Sequence, residues 1–501
     1  MKLLAFDYGA SSGRGILGTY DGKKLSLNEI HRFSSDPVML NGTFYWDVLR
    51  LFHEMKKGIL KCSHDGHDNI SGIGVDTWGV DFGLIGASGE LLGNPIHYRD
   101  IRTQGMMEAA YKVVPKKDIY EETGIQFMVF NTLYQLLAMK LNNSASLEKA
   151  EKMLLMPDLF NYFLSGEKLS EYSIASTTQM LNPRTGNWSD SLIKALGIPK
   201  NILADIIDPG TIIGKITKDI KDELLLKNDI PVIAVAGHDT ASAVVSVPAL
   251  KGKFAYLSSG TWSLLGAELP QPIINETTFN LDYTNEGGYN RTTRLLKNIM
   301  GLWIFQECKR AWDKVGECYS YDELEEMAEK AEAFTCFIDP DDDTFYRPGN
   351  MPQKIIDFCK ETGQKAPKDK GAIVRCVMES LALKYNMTLK GLEKIVGYDI
   401  PVLHVVGGGA RNLILCRFTA NATQKTVVTG PIEATSIGNL LCQLMALGEV
   451  SGLAEARQLV VESFPTTTYE PAETDTWQDA YGKFQGIIEI RKKTIAILQK
   501  Y

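Results

Sequence analysis

Three groups of residues in this chain are spaced as phosphate and proton chemistry would need them. In the first, the apolar run 3–6 ends in Asp7, and Gly9-Ala10-Ser11-Ser12-Gly13 follows before Arg14. A tip built of small residues leaves backbone N–H groups free to converge on an anion. An acid just before that tip suits a metal ion better than a bare phosphate. The stretch reads as a polyphosphate–Mg²⁺ cradle or as an ordinary β-hairpin with a solvated Asp. In the second group, Gly237-His238-Asp239-Thr240 joins a strand-like run, 231–237, to a helix-like run, 239–247. An Asp there caps a helix, and it can also serve as a general base facing a hydroxyl across a cleft; the two readings are compatible. The third group is Asp76-Thr77-Trp78-Gly79-Val80-Asp81. Its carboxylates, indole N–H and flat ring suit the hydroxyls and C–H faces of a sugar; equally, it is a turn around a buried Trp.

The elements that must hold these groups follow from periodicity and punctuation. Ser11-Ser12-Gly13 recurs as Ser258-Ser259-Gly260 inside another strand–tip–strand stretch, 254–266. Recurrence half a chain apart signals internal duplication, and two such tips can grip a phosphate chain from both sides. Gly407-Gly408-Gly409, after the apolar run 401–406, permits close approach of a flat or anionic ligand. Apolar residues at helical spacing predict helices over 46–62, 372–385 and 477–499. Residues 104–200 read as a mainly helical inserted subdomain. The run 296–306 reads as one helix carrying Asn298 and Gln306, and the acidic loop 339–343 as solvated surface. Gly13-Arg14-Gly15-Ile16-Leu17-Gly18 matches the dinucleotide fingerprint but is followed by a strand-like stretch where a helix is required, so that reading is rejected. No P-loop or protein-kinase signature is present.

With 501 residues, 44% of them hydrophobic and 23% charged, the chain is expected to form two or three globular domains. A net charge of −8 argues against a nucleic-acid or anionic-membrane footprint. No run reaches the roughly 20 apolar residues of a membrane span. Asp7 interrupts the N-terminal apolar run too early for a signal peptide. Eight cysteines without a Cys-x-x-Cys pair read as reduced thiols, so the expected location is cytoplasmic.

Taken together, these motifs resemble the FGGY family of carbohydrate kinases over nearly the whole length. The resemblance rests on residues 7–14, 76–82 and 258–264, together with Gly124-Ile125-Gln126-Phe127, Asn131-Thr132-Leu133-Tyr134-Gln135-Leu136 and His238-Asp239-Thr240-Ala241-Ser242-Ala243-Val244. It implies an α/β fold of two actin-like (RNase H-like) ATPase domains with a ligand cleft between them. The N-terminal domain is expected over 1–244, with its helical insertion about 104–200, and the C-terminal domain over 245–501. The implied activity is ATP-dependent phosphorylation of a small ketose, L-rhamnulose, at its 1-hydroxyl with Mg²⁺, by a monomer or small homo-oligomer. A kinase of the same fold for another ketose or polyol, and an actin-like ATPase driving assembly, are the alternatives. By the same resemblance Asp239 is the general base and Gly79 and His238 touch the sugar; Asp239 itself, and Trp78 and Asp81 of the third group, are expected to face it as well. Ala10, Ser11, Ser12, Gly13, Arg14, Thr261, Asn298, Gln306 and Gly408 match nucleotide-binding positions, and Asp7 the acid that holds Mg²⁺.

Overall fold

Strand β1 (Lys2–Tyr8) is buried on both faces, and its alternation decides what each face meets. Leu4, Phe6 and Tyr8 pack with Leu51, Met55 and Ile59 of the helix Val48–His64. Leu3 and Ala5 pack with Ile437, Leu440 and Leu441 of the helix Ala434–Ala446. The computed structural model describes residues 1–67, 69–250 and 252–498; Gln499, where the last predicted helix ends, lies outside them. The described chain divides into two compact units. The first comprises Met1–Leu250, Glu268–Leu296 and Ala434–Phe464, and the second Lys251–Ala267, Lys297–Glu433 and Pro465–Tyr501.

In the first unit β2 (Ser12–Tyr20) and β3 (Leu25–Ser34) extend β1 as antiparallel neighbours. β4 (Ile73–Thr77) lies parallel to β1 on its other side. β5 (Thr211–Lys215) and β6 (Pro231–Ala234) complete the order β5-β6-β4-β1-β2-β3. A strand follows the rejected dinucleotide fingerprint. Between β4 and β5 the chain builds a largely helical region with its own core, including Ala110, Ile119, Leu133, Leu136, Leu192 and Ile193.

In the second unit β7 (Phe254–Ser259) pairs antiparallel with β8 (Trp262–Leu269) and parallel with β9 (Val402–Val406). β10 (Thr426–Thr429) and β11 (Thr467–Tyr469) follow outward. The central strand of each unit thus has an antiparallel hairpin partner on one side and a parallel strand on the other, as internal duplication requires.

Two local expectations are corrected. The run 296–306 is not one helix: Thr293–Met300 is a strand and Trp303–Asp313 a helix. Gly301 makes the break, because a Cβ there would come within 2.6 Å of Ser263 Oγ and 2.7 Å of the Trp262 backbone. The acidic loop is not simply solvated. Lys384 Nζ lies 2.8 Å from both Asp339 and Asp341, Asp341 accepts the Met300 N–H, and Asp342 pairs with Arg491 at 2.7 Å.

Candidate active site

Strand alternation brings the acids of the first unit together. Asp7 and Asp76 are register partners on β1 and β4, and both continue the face that meets the helix Ala434–Ala446. Ser436 Oγ donates to Asp7 Oδ2 at 3.2 Å, and Asn439 Nδ2 to Asp76 Oδ2 at 2.7 Å. Arg14, across the hairpin, holds Asp7 through Nε at 3.1 Å and Nη2 at 2.9 Å. Burial, and then the neighbouring Asp7, push the Asp76 carboxyl well above the usual carboxylate range. Its Oδ1 has no hydrogen-bond partner. At the hairpin tip Gly9 N–H bonds Ser12 C=O, which leaves Ser11 and Ser12 exposed.

Asp239 opens the short helix Asp239–Val245. The N-cap is His238, with no side-chain cap bond, so Asp239 is the first helical residue and not the cap. The turn before it is pinned from several sides. Gly237 N–H donates to Glu171 at 2.9 Å, His238 N–H to Ser173 Oγ at 3.3 Å, and Thr77 N–H to Gly237 C=O at 2.9 Å. Asp239 keeps 31% of its side-chain surface open, enough for a hydroxyl to reach. The protein packed around the rest raises its carboxyl above the ordinary range, with His238 pulling it back down. The helix start therefore does not dominate.

Gly79 sits beside Thr177 in a loop whose backbone is strained: Val80, a β-branched residue, adopts φ +67°. Thr177 Oγ1 accepts the Val80 N–H at 3.2 Å, while Thr132 Oγ1 and Gln135 Nε2 donate to its carbonyl at 2.7 and 3.2 Å. Trp78 and Asp81 use their polar atoms within the protein. Asp81 Oδ2 accepts from Trp46 Nε1 at 2.6 Å, Trp78 Nε1 at 3.0 Å and Tyr98 N at 3.1 Å, and Oδ1 accepts from Gln135 at 3.1 Å. Desolvation still pushes Asp81 up to about 6. These two residues shape the loop, with Trp46 tilted against Trp78 and stacked on His97.

In the second unit Thr261 follows the tip of the second hairpin, its hydroxyl 3.4 Å from Gln306 Oε1. Its carbonyl accepts from Gly301 and Trp303 N–H at 3.2 Å. Asn298 lies near the end of its strand and Gln306 in the first turn of the next helix. In the glycine turn, Gly409 packs so close to Ser259 that a Cβ would lie 2.0 Å from Ser259 Oγ, whereas Gly408 faces open space. Of the predicted residues, Asp7 and Ala10–Arg14 share one tip, Gly79, His238 and Asp239 belong to the same unit, and Thr261 meets Gln306. Sequence reasoning passes over Thr177, Glu171, Glu286 and Arg294. The detectable signal was charge inside apolar runs: Arg294 is fully buried in Thr-Arg-Leu-Leu.

The N-terminal domain of the FGGY family of carbohydrate kinases matches residues 2–246, and its C-terminal domain residues 255–447. The chain belongs to the FGGY family of carbohydrate kinases. It is 45% identical over 487 residues to a rhamnulokinase of Bacteroides thetaiotaomicron, covering 97% of this chain and 99% of that one. A rhamnulokinase of Bacillus subtilis is 40% identical over 95% of this chain and 96% of its own. Among solved structures, a ligand-bound xylulose kinase from Lactobacillus acidophilus superposes with TM-score 0.82 at 19% identity, over 99% of this chain and 98% of that one. Plasmodium falciparum glycerol kinase with ADP gives 0.75 at 17%, over 97% of each chain. The FGGY kinase thus has the two-domain, actin-like ATPase architecture, is a sugar kinase and uses ATP. No helix among the described residues is long and apolar enough to cross a membrane.

Proposed function

We propose that this FGGY kinase transfers the γ-phosphoryl group of ATP to the 1-hydroxyl of L-rhamnulose, giving L-rhamnulose 1-phosphate and ADP in the breakdown of L-rhamnose. The observation that carries the substrate is near-full-length identity of 39–45% to eight bacterial relatives, all named rhamnulokinase. Asp239 is the general base: its partly open carboxylate accepts the hydroxyl proton as attack on phosphorus proceeds. His238 and the backbone at Gly79 orient the sugar, while the strained Val80 loop fixed by Asp81 shapes the surface on which it lies. Ala10–Arg14 receive the phosphates on backbone N–H groups, and Thr261, Asn298, Gln306 and Gly408 receive the remainder of the nucleotide.

A divalent metal fits the donor set. Asp7 and Asp76 are hard oxygen donors in mutual repulsion. The only compact group of three possible ligand residues among the described residues is Cys336, Cys359 and Cys376, so the acids do not close into an all-protein cage. That suits Mg²⁺, which keeps several waters and takes one or two carboxylates. Asp7 would hold it, and the ion would supply charge neutralisation on the phosphates. The eight free cysteines fit a reducing, cytoplasmic setting.

The test is an ADP-release assay over L-rhamnulose, L-fuculose, D-xylulose, D-ribulose and glycerol, with the product's phosphate position read by ³¹P–¹H NMR. The expected result is a kcat/KM for L-rhamnulose at least tenfold above the others and phosphate on O1. A higher value for another acceptor would reassign the substrate. Asp239→Asn is expected to bind sugar and ATP while kcat falls about 10²–10⁴-fold; near-normal turnover would remove Asp239 as the base.

A further inference from the structure

His238 presents opposite ring nitrogens to two different environments. Nε2 lies 3.5 Å from Asp239 Oδ1. Nδ1 lies 3.1 Å from Arg294 Nη2 and 3.2 Å from Glu286 Oε2, and those two atoms are 3.1 Å apart. The guanidinium is sealed from solvent, with Nε donating to the Gly287 carbonyl at 2.8 Å, and Glu286 is also buried. The hydrogen bond from Arg294 Nη2 goes to His238 Nδ1, while Glu286 Oε2 meets the same nitrogen as an ion pair.

Proton counting resolves the triangle. A guanidinium donates and never accepts, and its Nη2 carries two hydrogens. One points to His238 Nδ1, which accepts it only if Nδ1 keeps its lone pair, while Glu286 Oε2 meets the cation as an ion pair and not through a hydrogen bond. A hydrogen on Nδ1 would instead face the guanidinium, donor against donor. The single proton of the neutral ring then sits on Nε2, on the side of Asp239. Glu286 supplies the countercharge without which a buried guanidinium is costly.

We propose that Arg294 and Glu286 are positioning residues that hold His238 as its Nε2–H tautomer. That N–H is thereby presented to the Asp239 carboxylate and to the oxygen of the incoming sugar. The inference rests on the reading of Asp239 as the base. In that role the N–H favours the ionised carboxylate before transfer and stays on the ring during it. The proton from the sugar goes to Asp239, and His238 remains neutral.

The experiment uses full-length protein labelled with ¹⁵N-histidine. Long-range ¹H–¹⁵N spectra distinguish the two tautomers, and the His238 signals are assigned by their loss in His238→Asn. Wild type is expected to show protonated Nε2 and unprotonated Nδ1. Replacing both charges at once, Arg294→Met with Glu286→Gln, leaves no lone buried charge. It is expected to mix the tautomers and to lower kcat about tenfold or more, the scale of one charge-assisted hydrogen bond, with the KM for ATP changed less than about twofold. Arg294→Lys, which keeps one donor, should recover part of the Nε2–H signal and part of the rate. A wild-type spectrum with Nδ1 protonated overturns the proposal, whatever the folding of the variants. So does a folded double variant with unchanged tautomer and turnover. Asp239→Asn separates the two readings: turnover retained there defeats the base assignment, while the wild-type tautomer still judges Arg294 and Glu286.

Discussion

Replacing Gly438 by alanine would place a methyl group inside another helix. Gly438 lies in the helix Ala434–Ala446, and an added Cβ would come 1.7 Å from the carbonyl oxygen of Ser242 and 2.4 Å from its carbon. An ordinary contact needs about 3.4 Å, so one helix must retreat by roughly 1.5 Å. No side-chain rotation can relieve the clash, because the obstacle is backbone. Two effects oppose each other: alanine is better than glycine inside a helix by about 1 kcal/mol, while overpacking costs about 1–3 kcal/mol or more. The clash should win, for a net loss of up to about 2 kcal/mol. The helix pushed away is the one that begins with Asp239, and a shift of about 1 Å at a reacting group is worth roughly a hundredfold in rate. Urea unfolding followed by residual activity, together with kcat at saturating sugar and ATP, measures both effects. Gly482→Ala is the control: Gly482 lies in the helix Thr474–Leu498 with nothing within 4 Å of its added Cβ, so the same exchange should stabilise. If Gly438→Ala were as stable as wild type with turnover within about threefold, the close approach of these helices and its link to Asp239 would be refuted.

Other expectations are quickly tested. Thr261→Val keeps the shape but loses the hydroxyl that meets Gln306, so the KM for ATP should rise while the KM for the sugar stays unchanged. Asp7→Asn frees Arg14 and Ser436 from a charged partner; its loss of rate should be partly recovered by raising Mg²⁺, as that of Asp239→Asn should not. His97 is held neutral by burial and then by Arg99, its pKa pushed down to about 3. Below about pH 6.5 the unfolded chain therefore takes up a proton that the folded chain refuses. This residue's contribution is fully present above pH 6.5 and is lost on acidification, at roughly 1.4 kcal/mol per pH unit. His97→Gln should flatten that part of the acid limb in unfolding curves measured from pH 7 to 5, and an unchanged limb would count against it.

Both hairpins are legible in the sequence because strand alternation and a small-residue tip are local signals, and duplication repeats them. The strand-to-helix junction at Asp239 is legible because a strand, a glycine and a helix start surround it, but that His238 and not Asp239 takes the cap position is not. The run 296–306 misleads because Leu-Lys-Asn-Ile-Met satisfies helical spacing as well as strand alternation, and only the close packing against Gly301 decides. Trp46 is invisible as a partner of Asp81, since the two are 35 residues apart and meet only when the loop closes. The same holds for Arg294 and His238, 56 residues apart. Pairings at such distances are set by topology, which periodicity does not encode.

The helix Ala434–Ala446 covers one face of the sheet begun by the first eight residues. Gln443 donates to the Leu4 carbonyl at 3.1 Å, Asn439 to Asp76, and Ser436 to Asp7. On the ribosome these groups emerge about 400 residues apart, an interval of roughly 20–80 s at about 5–20 residues per second. Throughout that time the nascent first unit lacks this helix on one face of β1, with Asp76 without Asn439 and Asp7 held by Arg14 but not by Ser436. Its closure is therefore a late event of synthesis, and a truncated message ending before this helix yields a chain whose Asp7 and Asp76 never receive their cover.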